Sequence, residues 1–539
     1  MYERKPLAQD SDRKNANSRA ATMRRLVMPV HLLLFLVALM PLALVDGPAL
    51  IDYPNHIARL HVLGNIGHDA ALATNYQVSW GAMPNLAMDI LAWPLSGLFG
   101  AETLGFLFTG LTMVLLMIAP LVLHRVLYGD IGLWTAAAWL FLYNHLLIMG
   151  FLNYLFAVAL ALLLLAGWIA SESRPAWIRW VVFPLALIGL YFAHLFALGV
   201  YGVCVAGYEL SRSWPQLRDN WKKTVRSRLS VAWQFVPVAI LVFATMPPAE
   251  GHSFFYGPFL QKIKALWSPV LAYLKPIDLG VFLFVAAVLI GGLATGRLTL
   301  ARDMKLPVIL LAIVALVMPF QMEGAWGHIW YADLRLPTVI ALLLVAVMRP
   351  RNVGPKLLVT VAAAGIVLFA GRIYDITEEW RHVDRDFAEF RAALKIVEPG
   401  AAILPVQKQD VPLREGETRF DHAYWHMPVL AVIDRSAFVP TMFTDPAKQP
   451  VRAAPAREAM DSYFGAPIEL PLLVDSATGG NEVAGGVGMQ PYWKDWPARY
   501  DYVLITHFGE KGNPLPEFLT PVREGSFFDI YRVATGTNK

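Results

Sequence analysis

The sequence predicts an α-helical polytopic membrane protein, with about eleven transmembrane helices, that ends in a soluble C-terminal α/β domain. Three observations predict it. Of 539 residues, 56% are hydrophobic and only 16% charged, where a soluble protein carries about a quarter charged. Apolar runs of membrane-crossing character recur from residue 27 to 371, separated by polar loops. The charge is also divided unevenly. From Arg372 to Lys539 there are 18 Lys and Arg against 24 Asp and Glu, whereas the preceding 371 residues carry 27 against 17. That split points to membrane topology and away from nucleic-acid binding.

Residues 1–26 form a polar, basic tail, expected in the cytoplasm. The apolar run that follows is longer than a signal-peptide core and leads into Asp46-Gly47-Pro48, not a small-x-small cleavage site, so 27–45 reads as a retained first crossing. The loop 46–84 is too polar to span and belongs outside. Within it Ile57, Leu60, Leu63 and Ile66 recur near helical spacing, as in a short helix lying along the membrane surface. Further spans are expected over 85–100, 103–123, 131–149 and 151–170. The run 178–210 is long for one crossing; a single tilted helix keeps the count at eleven and is preferred. Two short crossings would instead reduce 85–100 to a re-entrant segment.

The cluster Arg212, Arg218, Lys222, Lys223, Arg226 and Arg228, opposed only by Asp219, marks an inner loop. From it, 231–246 runs outward to the external loop 247–277. The span 278–294 returns to Arg297, Arg302 and Lys305, and 306–320 leads out to the loop 321–335. The span 336–348 returns to Arg349, Arg351 and Lys356, and 357–371 exits. The transmembrane part therefore covers 27–371 and the soluble domain 372–539. In that domain Asp384 to Val397 has helical periodicity, and Ala401–Val406, Val429–Ile433, Tyr502–Thr506 and Phe527–Val533 read as strands. Asp375, Glu378 and Glu379 read as a solvated linker face, and Thr478–Gly488 as a loop. The single cysteine, Cys204, excludes an intrachain disulfide.

The chemistry-bearing residues cluster outside. Asp52-Tyr53-Pro54-Asn55-His56-Ile57-Ala58-Arg59 places a carboxylate, an imidazole and a guanidinium just beyond the first span, with His56 and Arg59 on one helical face. The competing assignment is a helix-capping Asp52 and an Arg59 paired with lipid head groups. In the loop 321–335, Asp333 and Arg335 stand at the mouth of the next helix beside His328; an aromatic belt with a surface ion pair is the alternative there. The loop 247–277 carries Glu250 and His252, too few to define a metal site, and Lys262, whose ordinary duty is to snorkel to lipid phosphate. Asn144, His145, Asn153 and His194 are polar groups within spans and read as interhelical hydrogen-bonding residues. His422, His426 and Lys408 receive ordinary structural duties. Nucleotide-driven, redox and zinc-protease chemistry lack their motifs: there is no P-loop, no GxGxxG before a helix, no HExxH and no paired CxxC.

An outward first helix, an acidic residue opening a large first external loop and about eleven crossings together resemble the GT-C superfamily of membrane glycosyltransferases. Many of its members also end in a soluble outer domain. The resemblance implies a sugar transferred from a polyprenyl-phosphate carrier to a lipid, glycan or protein acceptor at the outer face of a bacterial inner membrane. The C-terminal domain would then be periplasmic. In the aminoarabinose and protein O-mannosyl branches, an acidic residue opening this loop acts on the acceptor. Asp52 matches it best, with Asp46 as the neighbouring alternative; the second adjacent acidic residue found in many members is replaced here by Tyr53. By the same resemblance Arg335 is the carrier-phosphate ligand, the loop with Glu250, His252 and Lys262 shapes the donor site, and His56, Arg59, His328 and Asp333 lie within the substrate-binding region. No cofactor is assigned, and a divalent cation is the one candidate. A lipid or glycan transporter and a non-catalytic scaffold are the rival classes. Transporters are normally built from matching halves, and the sequence holds no such repeat.

Overall fold

The computed structural model describes residues 27–246, 251–325, 327–408, 423–462, 465–477, 491–509 and 511–534. The N-terminal tail 1–26, Glu250, His422 and the loop Thr478–Gly488 lie outside them. The chain is mostly helical, and its apolar helices are consistent with a membrane-embedded protein. Among the described residues four helices are long and apolar enough to cross a membrane: Ala101–Tyr128, Leu152–Ser173, Lys275–Ala294 and Pro355–Ile396. A bent pair around Arg228 makes up to five.

In chain order, α1 is Val27–Ala43, α2 Tyr53–Asn65, α3 Ala101–Tyr128 and α4 Leu152–Ala170. Then come α5 Phe183–Ala193, α6 Leu195–Ser227, α7 Val236–Thr245, α8 Lys275–Ala294, α9 Lys305–Val317, α10 Arg335–Val347 and α11 Pro355–Ala393. Two of the expected spans are not continuous α-helices. The segment 85–100 folds as two short turns, Ala87–Ala92 and Trp93–Leu95. Pro94 interrupts it, and its one carboxylate, Asp89, is buried against Arg59. The segment 131–149 becomes a 3-10 stretch, Leu133–Phe141, and a single turn, His145–Ile148, capped by Asn144, whose Oδ1 accepts from the Leu147 amide at 3.1 Å.

The run 178–210 doubles back, which corrects the single tilted helix. His194 is extended (φ −171°, ψ 121°) and separates α5 from α6. Arg179 and Arg212, on either side of that break, both pair with Glu172. A continuous helix would hold them about 50 Å apart.

Short strands tie the loops together by end. At one end Leu298–Leu300 pairs with Met348–Pro350, Tyr128 donates to the Val347 carbonyl at 2.6 Å, and Arg212 approaches Asp303 at 3.9 Å. At the other end Ser253–Phe255 pairs with Gln321–Gly324, which turns back onto Gly327–Ile329. There too, Tyr76–Val78 pairs antiparallel with Val451–Ala453 of the C-terminal region.

That region is α/β. Its five-stranded mixed sheet runs in the order 519–524, 528–533, 502–506, 403–407, 468–469, with the last three strands parallel. Three of the four expected strands are present. Val429–Ile433 is instead helical, within Met427–Val429 and Leu430–Arg435, because it is buried against α2 and not against the sheet. The expected linker is absent as well: α11 continues through Asp375 and Glu378, and Glu379 is buried in it. α2 forms where the periodicity placed it, but Tyr53 to Leu60 are all buried. It lies beneath the C-terminal domain, where Asn55 accepts from the Phe443 amide at 2.8 Å, and not on an open surface.

Candidate functional site

The first turn of α2 is anchored on the tight turn 148–150. The amides of Ile51 and Asp52 donate to the carbonyls of Ile148 and Met149, at 3.0 and 3.1 Å. Gly150 has φ +83°, and a Cβ there would stand 2.8 Å from the Asp52 nitrogen, so glycine is required both for the turn and for the approach. This clamp sets the Asp52 carboxylate, 17% exposed, facing His426, whose Nε2 lies 3.5 Å from Oδ1. His426 is buried edge-on against Phe443. Burial lowers its pKa to about 3, with an opposing contribution from the Gly465 backbone, so a neutral imidazole faces Asp52.

The residue after Gly150 orients the second candidate. The Arg335 guanidinium lies 4.6 Å from the Phe151 ring centroid, 5.2 Å from Tyr154 and 5.7 Å from Phe196. Arg335 is 9% exposed and within electrostatic reach of Asp52. Among the described residues no carboxylate lies within ion-pair distance of it. Its polar contacts are the Trp330 carbonyl at 3.3 Å and His194 Nε2 at 3.4 Å, and its Nε has no partner. A buried guanidinium without a counter-ion is costly. The arrangement suits an anion.

A second cation comes from the C-terminal domain. Lys448 donates to the His328 carbonyl and sits 3.3 Å from Asp445, within electrostatic reach of Arg335 and His194. Burial lowers its pKa, and Asp445 opposes that. His194 and His426 read as structural residues in the sequence, and Lys448 carried no assignment. His194 stands out locally as a polar group within an apolar run; nothing local marks His426 or Lys448, and all three reach the site from distant parts of the sequence.

The other expected site residues are placed elsewhere. His56 and Arg59 are buried and bonded internally. His56 contacts the Gly150 carbonyl (3.0 Å) and Arg59 (3.1 Å), and Arg59 forms a two-point pair with Asp89 at 2.5 and 3.2 Å. They support the site from beneath and do not open onto it. Lys262 and Asp333 neutralise each other at 2.8 Å, with Asp333 fully buried. His328 contacts Glu323 at 2.9 Å across the hairpin, and exposed His252 packs near Gly324. The Asp46 amide bonds Asp384 on α11 at 3.2 Å and its side chain is exposed, so it does not join Asp52. Among the described residues no three His, Cys, Asp or Glu side chains gather as metal ligands.

A separate apolar cavity of about 390 Å³, lined by residues such as Leu34, Trp139, Val285 and Phe369, opens on the face of α10 that bears Ile340 and Leu344. Arg335 projects from the opposite face. Compared with known proteins, the chain matches no family model, no curated protein and no solved structure.

Proposed function

We propose that the chain is a membrane glycosyltransferase that takes a sugar from a polyprenyl-phosphate donor and passes it, with inversion, to an acceptor hydroxyl or amine. The observation that carries this reading is the turn 148–150 with Phe151 after it, which brings together a partly exposed carboxylate and a buried arginine that has no carboxylate at ion-pair distance among the described residues. Asp52 is the base: it takes the acceptor proton as the new bond to the anomeric carbon forms. The bond from that carbon to the phosphate oxygen breaks, and the electron pair leaves on the carrier phosphate. Arg335 holds this phosphate as a planar fork. His426 keeps the Asp52 side chain turned toward the acceptor.

The topology belongs to the same proposal. Segments expected on the same side are hydrogen-bonded to each other at both ends of the bundle. With 178–210 crossing twice and 85–100 re-entrant, the count stays at eleven and the parity leaves Asp52 and the C-terminal domain outside. The setting is a bacterial inner membrane.

The test is Asp52→Asn in the full chain, assayed for loss of the donor lipid-phosphate sugar. Transfer is expected to fall by at least about a hundredfold, the usual worth of a positioned base, with accumulation and melting temperature unchanged. Full transfer by the variant would remove Asp52 from this role. Substrate movement across proteoliposomes without bond cleavage would identify a transporter instead.

A further inference from the structure

His194 occupies the N-cap of α6, and its ring is used twice. Its Nδ1 lies 3.1 Å from the Phe196 amide, and Nε2 lies 3.4 Å from Nη1 of Arg335. Both partners are donors, so each contact asks its ring nitrogen to accept, and a neutral imidazole has only one accepting nitrogen. The Phe196 N–H is one of the donors that a helix start leaves without an intrahelical partner, so Nδ1 must accept from it. A neutral ring that accepts at Nδ1 carries its proton on Nε2. Nε2–H and the Arg335 N–H groups are then donors facing donors, and the longer contact is the one left without an acceptor. Arg335 Nε is unpartnered on the same guanidinium, and Lys448 brings a further positive charge within reach. His194 Nε2–H, Arg335 Nη1 and Arg335 Nε are thus donors without an acceptor between them; the Trp330 carbonyl takes only Nη2, and Asp445 is engaged by Lys448.

We propose that His194 is a ligand for the same anion as Arg335: its Nε2–H and the guanidinium converge on one phosphate oxygen, which completes both. The inference rests on the proposed role of Arg335 and extends it to the broken helix. The interruption at His194 thus serves a binding purpose, since it turns a backbone cap into a fixed-tautomer donor. The shared ligand chemistry is a phosphate oxygen, which a lipid phosphate or free phosphate would supply equally.

The experiment uses the full chain in detergent, titrated with farnesyl phosphate, with inorganic phosphate and with farnesol. His194→Asn is the informative variant, because asparagine is among the best N-cap residues yet is too short to reach Arg335. Farnesyl phosphate is expected to bind the wild type and farnesol not to. His194→Asn should weaken binding roughly tenfold with an unchanged melting temperature, as for one hydrogen bond to a charged group, and Arg335→Gln should abolish it. Binding of inorganic phosphate with the same variant pattern would support the site with free phosphate as the source. Wild-type affinity in His194→Asn, with loss in Arg335→Gln, would overturn the role of His194 alone. No phosphate binding by the wild type would overturn the Arg335 reading with it. A nitrogen-15 spectrum of the His194 ring offers a check independent of folding: Nε2–H is expected, and an Nδ1–H tautomer would refute the proposal.

Discussion

Arg59 and Asp89 show how far one residue's duty depends on what the fold brings to it. Both side chains are 0% exposed and bonded at two points. Removing one partner leaves a charge buried alone, at a cost of roughly 3–5 kcal/mol. Asp89→Ala is expected to lower the unfolding midpoint sharply in detergent, and a paired Arg59→Met, Asp89→Leu replacement to recover most of it. A single variant as stable as the wild type would mean the pair is not buried. His56 and His426 set a pH limit. Burial holds both near pKa 3, against 6.5 for the free group. Between about pH 6.5 and 3 the unfolded chain therefore binds protons that the folded chain refuses. Stability falls with falling pH across that window, by roughly 1.4 kcal/mol per unit for each histidine. Melting curves from pH 7 to 5 should show the decline, and His56→Gln should flatten it. Asp52 and Arg335 were legible in the sequence because each is a charge at the border of an apolar run, where charges are expensive. His426 and Lys448 were not legible: their relevance exists only after the C-terminal domain closes over the loop 46–84.

At the scale of elements, hydropathy found the long helices and misjudged the interrupted ones. α3, α4, α8 and the apolar part of α11 are close to where the apolar runs placed them. The errors at 85–100 and 178–210 share a cause. A window average cannot see a proline turn that buries one carboxylate, or a histidine whose ring replaces a backbone hydrogen bond. Asn153 was read as an interhelical bonding group, and it does tie α4 to Asn85 and Met88, at 2.6 and 2.9 Å. The turn before α4 supplies a sharp test. Gly150→Ala would drive a methyl group into the backbone of Asp52 at a positive φ. Transfer activity is expected to fall at least tenfold while the helices remain folded by circular dichroism. Unimpaired activity would mean that the turn does not set the carboxylate.

For the whole molecule, the charge division at Arg372 located the change from apolar to water-soluble composition but not a joint in the chain. Three of the sheet's five strands, the buried ones, were legible; the strands 468–469 and 519–524 were not. The domain's docking was not legible either, since Tyr76 pairs with Ala453 across most of the sequence. Sidedness can be tested because the only cysteine, Cys204, is 1% exposed and should stay silent to maleimides. Single cysteines at Ser173 and Arg302 are expected to label from one face of sealed vesicles, and those at Ser253 and Glu517 from the other. Ser173 labelling together with Ser253 would undo the doubled-back path of α5 and α6.

The 39-residue helix α11 has no break where the composition changes, a rod of ~58 Å. Its consequence is mechanical. Under the proposed function, the donor is not admitted by swinging the C-terminal domain on a flexible tether, because the helix is continuous and the 76–78 strand fastens a second corner. The route left to such a donor is sideways, between helices.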